Sequence, residues 1–198
     1  GRSIAFSGTV GGISDLYLYD IEDHTVQQLT NDKHADFDPD WSPDGRTIAF
    51  SSDRGPETDF DRLVYSEFQL SFFDMESRMV HTPVIFGNTR HSDPQYAPDG
   101  TIYILAAPDG FSDVYRYDPR SGKTSRVTRV ATGVSGHTSM APALSVAAQT
   151  GELAFSVFSE FEFHIVRMDA EPSTTLAAAP TPEEAAAREL PPLNPDRF

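Results

Sequence analysis

Four short apolar triplets recur along this chain at nearly regular intervals. The triplets are Ile4-Ala5-Phe6, Ile48-Ala49-Phe50, Ile102-Tyr103-Ile104 and Leu153-Ala154-Phe155, and their first residues lie 44, 54 and 51 positions apart. A period of roughly 40 to 50 residues is typical of propeller blades, each of which is one four-stranded sheet. We therefore expect one structural unit to be used several times.

A turn signal precedes three of the triplets. It reads Pro43-Asp44-Gly45, then Pro98-Asp99-Gly100, and in degenerate form Gln149-Thr150-Gly151. Glycine adopts a positive φ without steric cost, and proline and aspartate favour the other turn positions. The signal predicts a tight hairpin that leads into the second strand of each blade.

Each repeat also contains a segment that ends in aspartate. The four copies are LYLYD at 16–20, LSFFD at 70–74, VYRYD at 114–118 and IVRMD at 165–169. The aspartate side chain is expected to cap the following turn. Both faces of these segments are largely apolar, which favours sheets stacked face to face around an axis over a sheet with one wet face.

A full repeat is then predicted to contain four strands. The inner strand ends in W/Y-S/A-P-D-G, the second carries the triplet, the third ends in aspartate, and the outer strand is a segment such as 26–30 or 125–128. Residues 53–67 in the second blade have the composition of an exposed insertion. The predicted fold class is an all-β propeller.

These residues resemble a known repeat. The motif D-P-x-W/Y-S/A-P-D-G, followed by an IAF-like strand, an aspartate-terminated strand and a Leu-Thr or Val-Thr ending, resembles the blade of TolB-like propellers. The same motif is found in propeller domains of prolyl-oligopeptidase-type peptidases. The resemblance covers residues 1–169, about 85% of the chain, and implies a six-bladed ring. The fourth blade departs from the motif, because Leu144 stands where the aromatic residue should be and no P-D-G follows.

The two ends of the repeat array are expected to be incomplete. GRSIAFS at 1–7 aligns with GRTIAFS at 45–51, so the first blade is predicted to lack its inner strand. The last blade is predicted to lack its outer strand, since residues 170–198 are rich in Pro, Ala and Glu and fit a linker or tail. The sequence thus predicts about three and a half blades, completed by the remaining blades of a larger propeller. A self-contained four-bladed ring is the alternative.

The charge balance restricts the partners. Thirty Asp and Glu against 15 Lys and Arg give a formal net charge of −15, which repels nucleic acid and anionic lipid. No apolar run approaches the roughly 20 residues needed to cross a bilayer, so no direct membrane insertion is expected. The acidic surface suits a basic protein partner or cations, or it serves solubility alone. The absence of cysteine excludes disulfides and Cys-based zinc sites.

Three histidines form the candidate site. Each histidine lies shortly before a proline that opens an inner strand: His34, His91 and His137 precede Pro39, Pro94 and Pro142 by 5, 3 and 5 residues. They are therefore expected in equivalent loops around one mouth of the central channel of the propeller. The candidate partner-binding residues of these loops are His34, Asp36, Asp38, His91, Asp93, His137 and Ser139. Imidazoles and carboxylates converging there could bind a metal, an anion or a peptide end. The competing interpretation is a set of unrelated surface histidines.

No cofactor is predicted from these residues. Asp36, Asp38 and Asp40 alternate along a strand and could offer oxygen ligands to Ca²⁺ or another divalent metal, but Trp41 and Thr47 occupy the positions where an EF-hand needs Gly and Glu. Bonds from these aspartates to loop amides are the alternative. Trp41 and Tyr96 are expected in the core between blades.

The predicted function is non-enzymatic. The chain contains no G-x-S-x-G, H-E-x-x-H, P-loop or G-x-G-x-x-G motif in a fitting context. A propeller module that binds a protein or peptide is expected, and the resemblance implies an exported, periplasmic protein of the bacterial cell envelope. The alternatives are a regulatory, gating propeller of a prolyl-oligopeptidase-type hydrolase with its catalytic domain elsewhere, and a propeller linked to a membrane-embedded domain.

Overall fold

The computed structural model describes residues 1–138 and 141–169. They form four antiparallel sheets, here called blades 1 to 4, and in each the strands neighbour one another in chain order. Blade 1 contains β1 (Ser3–Val10), β2 (Ile13–Asp20) and β3 (Thr25–Gln28); blade 2 contains β4 (Asp36–Trp41), β5 (Thr47–Ser52), β6 (Gln69–Asp74) and β7 (Val80–His81); blade 3 contains β8 (His91–Tyr96), β9 (Ile102–Ala106), β10 (Asp113–Asp118) and β11 (Lys123–Arg126); blade 4 contains β12 (Leu144–Val146), β13 (Leu153–Ser159) and β14 (Glu162–Met168). The predicted all-β class is confirmed.

The turn chemistry follows the sequence pattern. Gly45 and Gly100 have φ of 70° and 82°, and each donates its N–H to the carbonyl three residues earlier at 2.9 Å. Asp20 Oδ1 accepts the N–H groups of Glu22 and Asp23 at 2.9 and 3.0 Å. The aspartates that end β6 and β10 cap their turns in the same way. The predicted hairpins at Gly45 and Gly100 and the aspartate caps of blades 1 to 3 are therefore confirmed, while the cap at Asp169 stays a prediction.

The core lies between the blades. Three apolar clusters join successive sheets: Leu16, Ile48, Phe50 and Phe73 between blades 1 and 2; Ala49, Leu70, Phe72, Ile104 and Tyr115 among others between blades 2 and 3; and Tyr103, Leu105, Val114, Leu144 and Phe155 among others between blades 3 and 4. Third strands contribute from both faces, as their two-sided apolar pattern predicts. Tyr96 is buried in the second cluster and Trp41 packs against the first, as expected.

The inner strands run side by side in one direction. Asp38 accepts the N–H of Asp93, and Asp40 Oδ2 accepts the N–H of Tyr96 at 2.7 Å, so β4 and β8 are parallel neighbours. Strands alternate in direction within a blade, so the connection between the second and third strands of a four-stranded blade lies on the face where its inner strand begins. In blade 1, β1 and β2 correspond to these second and third strands. We call the face with these connections the mouth face. It carries residues 11–12, 53–68, 107–112 and 160–161.

Blades 1 and 4 contain three strands each among the described residues, and blades 2 and 3 contain four. The predicted tail, 170–198, lies outside the described residues. The number of blades in the whole ring stays a prediction. In the described part of the chain, no helix is long and apolar enough to span a membrane.

Candidate functional site

The three histidines do not occupy equivalent places. His91 lies within β8, opposite Ala106, where β4 has Asp36 opposite Ser52. His34 and His137 lie in the connections that precede β4 and β12. The expectation that three imidazoles ring the mouth in equivalent loops is therefore wrong for His91. Its shorter distance to the following proline places it inside the strand.

His91 has a structural partner. Its side chain is 1% exposed, and its Nδ1 accepts the backbone N–H of Leu70 at 3.1 Å. In blades 1 and 3 the equivalent N–H groups, of Leu16 and Val114, donate to the hydroxyls of Thr30 and Thr128 at 2.9 Å. Burial lowers the pKa of His91 to about 4, so the imidazole is neutral at physiological pH. It holds blade 2 to the inner strand of blade 3.

His34 joins two connections on the mouth face. Its Nδ1 lies 2.9 Å from Asp53 Oδ1, which also accepts the N–H of Ala35 at 3.0 Å. The imidazole ring packs edge-on against Phe60, with ring centroids 4.9 Å apart. His34 thus fastens residues 53–68 to the start of β4.

His137 is exposed. Its ring contacts Phe163 of β14, with centroids 4.2 Å apart. Ser139, the last candidate of the predicted set, lies outside the described residues. Among the described residues of blade 4, His137 makes no counterpart of the His34 contact to Asp53.

Asp36 is an internal anchor. The carboxylate is fully buried, accepts the Ser52 hydroxyl at 2.8 Å and pairs with Arg54, whose guanidinium also reaches Asp32 at 2.6 Å. Burial raises the pKa of Asp36, and the Arg54 charge opposes that rise. Because β4 begins at Asp36, the strand expected for the alternating aspartates is observed, and the loop position expected for Asp36 among the candidate residues is wrong.

Asp38 and Asp93 occupy matching bulges on the inner strands of blades 2 and 3. Their φ values are 53° and 51°, and each lies at a break in register between the inner and second strands, directly before proline. Aspartate tolerates this left-handed conformation better than most residues, and the bulge turns its carboxylate toward the next blade. Asp93 Oδ2 accepts the N–H of Ala143 at 2.6 Å. Both residues lie on inner strands. This agrees with the strand expected for Asp36, Asp38 and Asp40, and the loop position expected for the candidate residues is wrong here.

The two carboxylates influence each other. Burial raises the pKa of Asp38. Burial raises the pKa of Asp93 to about 6. The hydrogen bond from the Ala143 N–H opposes this rise, and the negative charge of Asp38 adds to it. Arg90 contributes positive charge near both groups. Asp93 therefore changes charge closer to neutral pH than an ordinary aspartate does.

A pocket of about 200 Å³ opens beside Asp93 between blades 3 and 4. Its polar lining comes from Arg90, Ser92, Asp93, Ser112, Ser135 and Thr138. Leu105, Ala106 and Val134 supply an apolar wall. A cation, a carboxylate and hydroxyl groups around a small apolar cavity suit the main chain and a small side chain of a peptide.

The structure does not gather the three alternating aspartates into a metal site. Asp36 pairs with Arg54, while Asp38 and Asp40 each accept an N–H group of β8. Among the described residues, no group of three or more His, Asp or Glu is arranged to hold a metal ion. Bonds to backbone amides, the alternative weighed from the sequence, describe Asp38 and Asp40.

Sequence reasoning missed most of the pocket. Asp93 was a candidate, whereas Arg90, Ser112 and Ser135 were not, because they come from three different connections and meet only when blades 3 and 4 pack. Their sequence positions gave no distinguishing signal, since Ser112 lies two residues before the predicted strand 114–118 and Ser135 lies in a predicted loop between blades. Serines in such connections are too common to be singled out without the fold.

Comparison with known proteins supports the architecture. No family model matches the chain. A 45-residue stretch is 42% identical to the Tol-Pal system protein TolB of Geobacter sulfurreducens and covers 23% of this chain and 10% of that protein. The chain thus spans about a tenth of this curated relative.

Solved structures match over most of the chain. TolB from Acinetobacter baumannii has a TM-score of 0.68 at 19% identity, over 85% of this chain and 38% of that one. A putative TolB from Agrobacterium tumefaciens has a TM-score of 0.67 at 22% identity, over 85% and 58%. A puromycin-hydrolyzing peptidase from Mycobacterium tuberculosis has a TM-score of 0.57 at 14% identity, over 85% and 26%. The repeat, the four stacked sheets and these likenesses agree, and the chain has the fold of a TolB-like β-propeller.

Proposed function

We propose that this propeller is a non-catalytic module that binds a protein or peptide partner at its mouth face. The observation that carries the proposal is the pocket beside Asp93, where charged and hydroxyl groups from four connections and strands converge. Binding sites are concave and combine apolar walls with a few placed polar groups. The pocket has this composition at a size that admits a short segment of chain.

Exposed apolar side chains around the pocket support the same face. Each blade places at least one large, exposed apolar residue in or beside its connection on the mouth face: Val10, Leu63, Phe111 and Phe161. Apolar residues exposed in an ordered surface favour a contact with another protein. A partner would thus meet apolar contacts around a polar centre.

The cell envelope is the proposed location. The 42% identical stretch belongs to a relative named as a Tol-Pal system protein, and the blade motif implies export to the periplasm. We further propose that additional blades of the same propeller are partners, since the chain spans 38% and 58% of the two TolB chains it matches. Nothing specific favours the hydrolase-domain alternative, which we do not propose.

Site-specific photocrosslinking in bacterial cells that have a periplasm tests the proposed binding of a partner at the mouth face. A crosslinking amino acid replaces Ser135 in the pocket or, as the matched control, Ser121 in the turn between β10 and β11 on the opposite face. We expect a specific adduct from position 135 and none from position 121. The adduct protein, once purified, should bind the Asp93→Asn variant at least tenfold more weakly than the unmodified chain.

Two results would contradict the proposal. One is an adduct that forms at position 121 as readily as at position 135. The other is a purified partner whose affinity does not change when Asp93 loses its charge. Far-ultraviolet circular dichroism of each variant checks that the fold is retained.

A further inference from the structure

The connection between β5 and β6 is much longer than its counterparts. It contains 16 residues, 53–68, against six in blade 3 and two each in blades 1 and 4. Loops that long in a compact fold are usually functional or disordered. The internal contacts of this connection decide between the two.

The tip of the connection is a closed turn. Asp59 and Val64 exchange two main-chain hydrogen bonds, at 2.8 and 3.0 Å. Asp59 Oδ1 also accepts the N–H groups of Asp61 and Arg62, at 3.0 and 3.1 Å. Leu63 completes the turn with a φ of 55°. We call residues 57–67 the insertion hairpin.

The base of the insertion hairpin is fastened as well. Ser66 donates its N–H to Thr58 Oγ1 and accepts the N–H of Glu57 with its hydroxyl, both at 3.0 Å. Asn88 accepts the N–H of Glu67 at 2.9 Å and donates to Glu57 at 2.5 Å. Gly55 lies so close to Ser66 that an added Cβ would stand 2.4 Å from the serine Cβ. These contacts hold the segment in one conformation, so binding a partner does not require the free energy of ordering it.

The ordered tip exposes three consecutive apolar residues. Leu63, Val64 and Tyr65 are 70%, 47% and 55% exposed. Four carboxylates flank them along the chain, at positions 57, 59, 61 and 67. Two cations lie nearby: Arg62, which pairs with Asp59, and Lys33, whose ammonium lies 5.6 Å from the centre of the Phe60 ring. An apolar patch held rigidly in the solvent, with charged residues at its rim, marks an interaction site.

We propose that the insertion hairpin docks a segment of the partner protein that combines apolar side chains with lysine or arginine. The inference rests on the proposed protein-binding function and specifies the chemistry of one contact. Charge complementarity selects the occupant, because acidic groups flank the patch on a chain of net charge −15. A second copy of the chain would set the same carboxylates against each other, and an anionic lipid surface would be repelled.

A peptide titration tests the proposal on the intact chain. The probe is a short fluorescent peptide in which leucine and valine alternate with lysine, and its partner peptide has glutamate at every lysine position. Fluorescence anisotropy should show saturable binding of the lysine peptide only. The paired change Leu63→Ser and Val64→Ser should weaken that binding at least tenfold, and Asp61→Asn should weaken it severalfold.

Matched controls lie on the opposite face. Met79→Ser removes an equally exposed apolar residue, 67% exposed, and Asp23→Asn removes an exposed carboxylate. Neither should change the affinity by more than about twofold. Equal affinity of the Leu63/Val64 variant and the Met79 variant, or equal binding of the two peptides, would overturn the proposal.

The titration and the crosslinking experiment fail independently. If the hairpin binds the lysine peptide while position 135 gives no adduct, the mouth pocket is wrong and the hairpin contact stands. If position 135 gives its adduct while the hairpin variants bind the peptide normally, the module function stands and the hairpin proposal is rejected.

Discussion

At the scale of single residues, His91 shows how position in a strand decides what a side chain does. His91 lies three residues before its proline and His34 lies five before its own. This difference of two residues places His91 in a strand, where it is buried, and His34 in a loop. The imidazole accepts the N–H of Leu70, a bond that a threonine makes in blades 1 and 3. A histidine with this partner stabilises the fold and is closed to a ligand.

Replacing His91 should therefore lower the free energy of unfolding. His91→Ala is expected to cost about 2–4 kcal/mol, because it leaves the buried Leu70 N–H without an acceptor and opens a cavity. Urea denaturation measures the loss, and His81→Ala on the exposed strand β7 is the control, with a change below about 0.5 kcal/mol. A loss from His91→Ala no larger than the control's would contradict the structural role.

The same residue predicts a pH dependence. The folded pKa, about 4, lies below the ordinary 6.5, so the unfolded state binds more protons between these values. Stability should fall as the pH drops from 6.5 toward 4, by about 3 kcal/mol at most from this group. His91→Asn keeps an acceptor oxygen and should lose less stability over that window. Parallel pH profiles of the two proteins would show that His91 does not contribute.

At the scale of elements, the sequence predicted what depends on neighbouring residues. The turns at Gly45 and Gly100 and the cap at Asp20 were predictable because their partners lie within three residues. The pairing of Asp113 with Thr128 was not, because β10 and β11 must first form to bring them together. Outer strands β3 and β11 also end earlier than predicted, which frees Thr30 and Thr128 to bond to the start of β2 and β10.

Thr128 is expected to be a fixed point of blade 3. Its hydroxyl accepts the Val114 N–H at 2.9 Å and donates to Asp113 Oδ1 at 2.6 Å. Thr128→Val keeps the shape, removes both bonds, and should lower the free energy of unfolding by about 1–3 kcal/mol. Chemical denaturation measures it against Thr25→Val on the exposed strand β3, which should be near neutral. Equal effects of the two changes would show that the buried bonds add nothing.

At the scale of the whole molecule, carboxylates on inner strands join one blade to the next. Asp38 accepts an N–H group of β8, Asp40 accepts the N–H of Tyr96, and Asp93 accepts the N–H of Ala143 of blade 4.

The repeat itself was predictable from the sequence because the triplets and turns recur in phase. The mouth pocket was not, since its lining depends on how far blade 4 is rotated against blade 3.

Asp93 makes the contact between blades 3 and 4 sensitive to pH. Its folded pKa, about 6, lies above the ordinary 3.8, so its contribution to stability is present at low pH and is lost as the pH rises through 6. Asp93→Asn is always neutral and still offers an oxygen to the Ala143 N–H. Relative to the unmodified chain, this variant should gain stability as the pH rises across that window, as measured by urea denaturation. Asp74→Asn should show no trend across that window and the opposite trend below pH 3.8, because backbone and hydroxyl donors of Ser77 lower the pKa of Asp74 below 3.8. A stability difference for Asp93→Asn that is constant with pH would mean that the carboxylate is not held between the two blades.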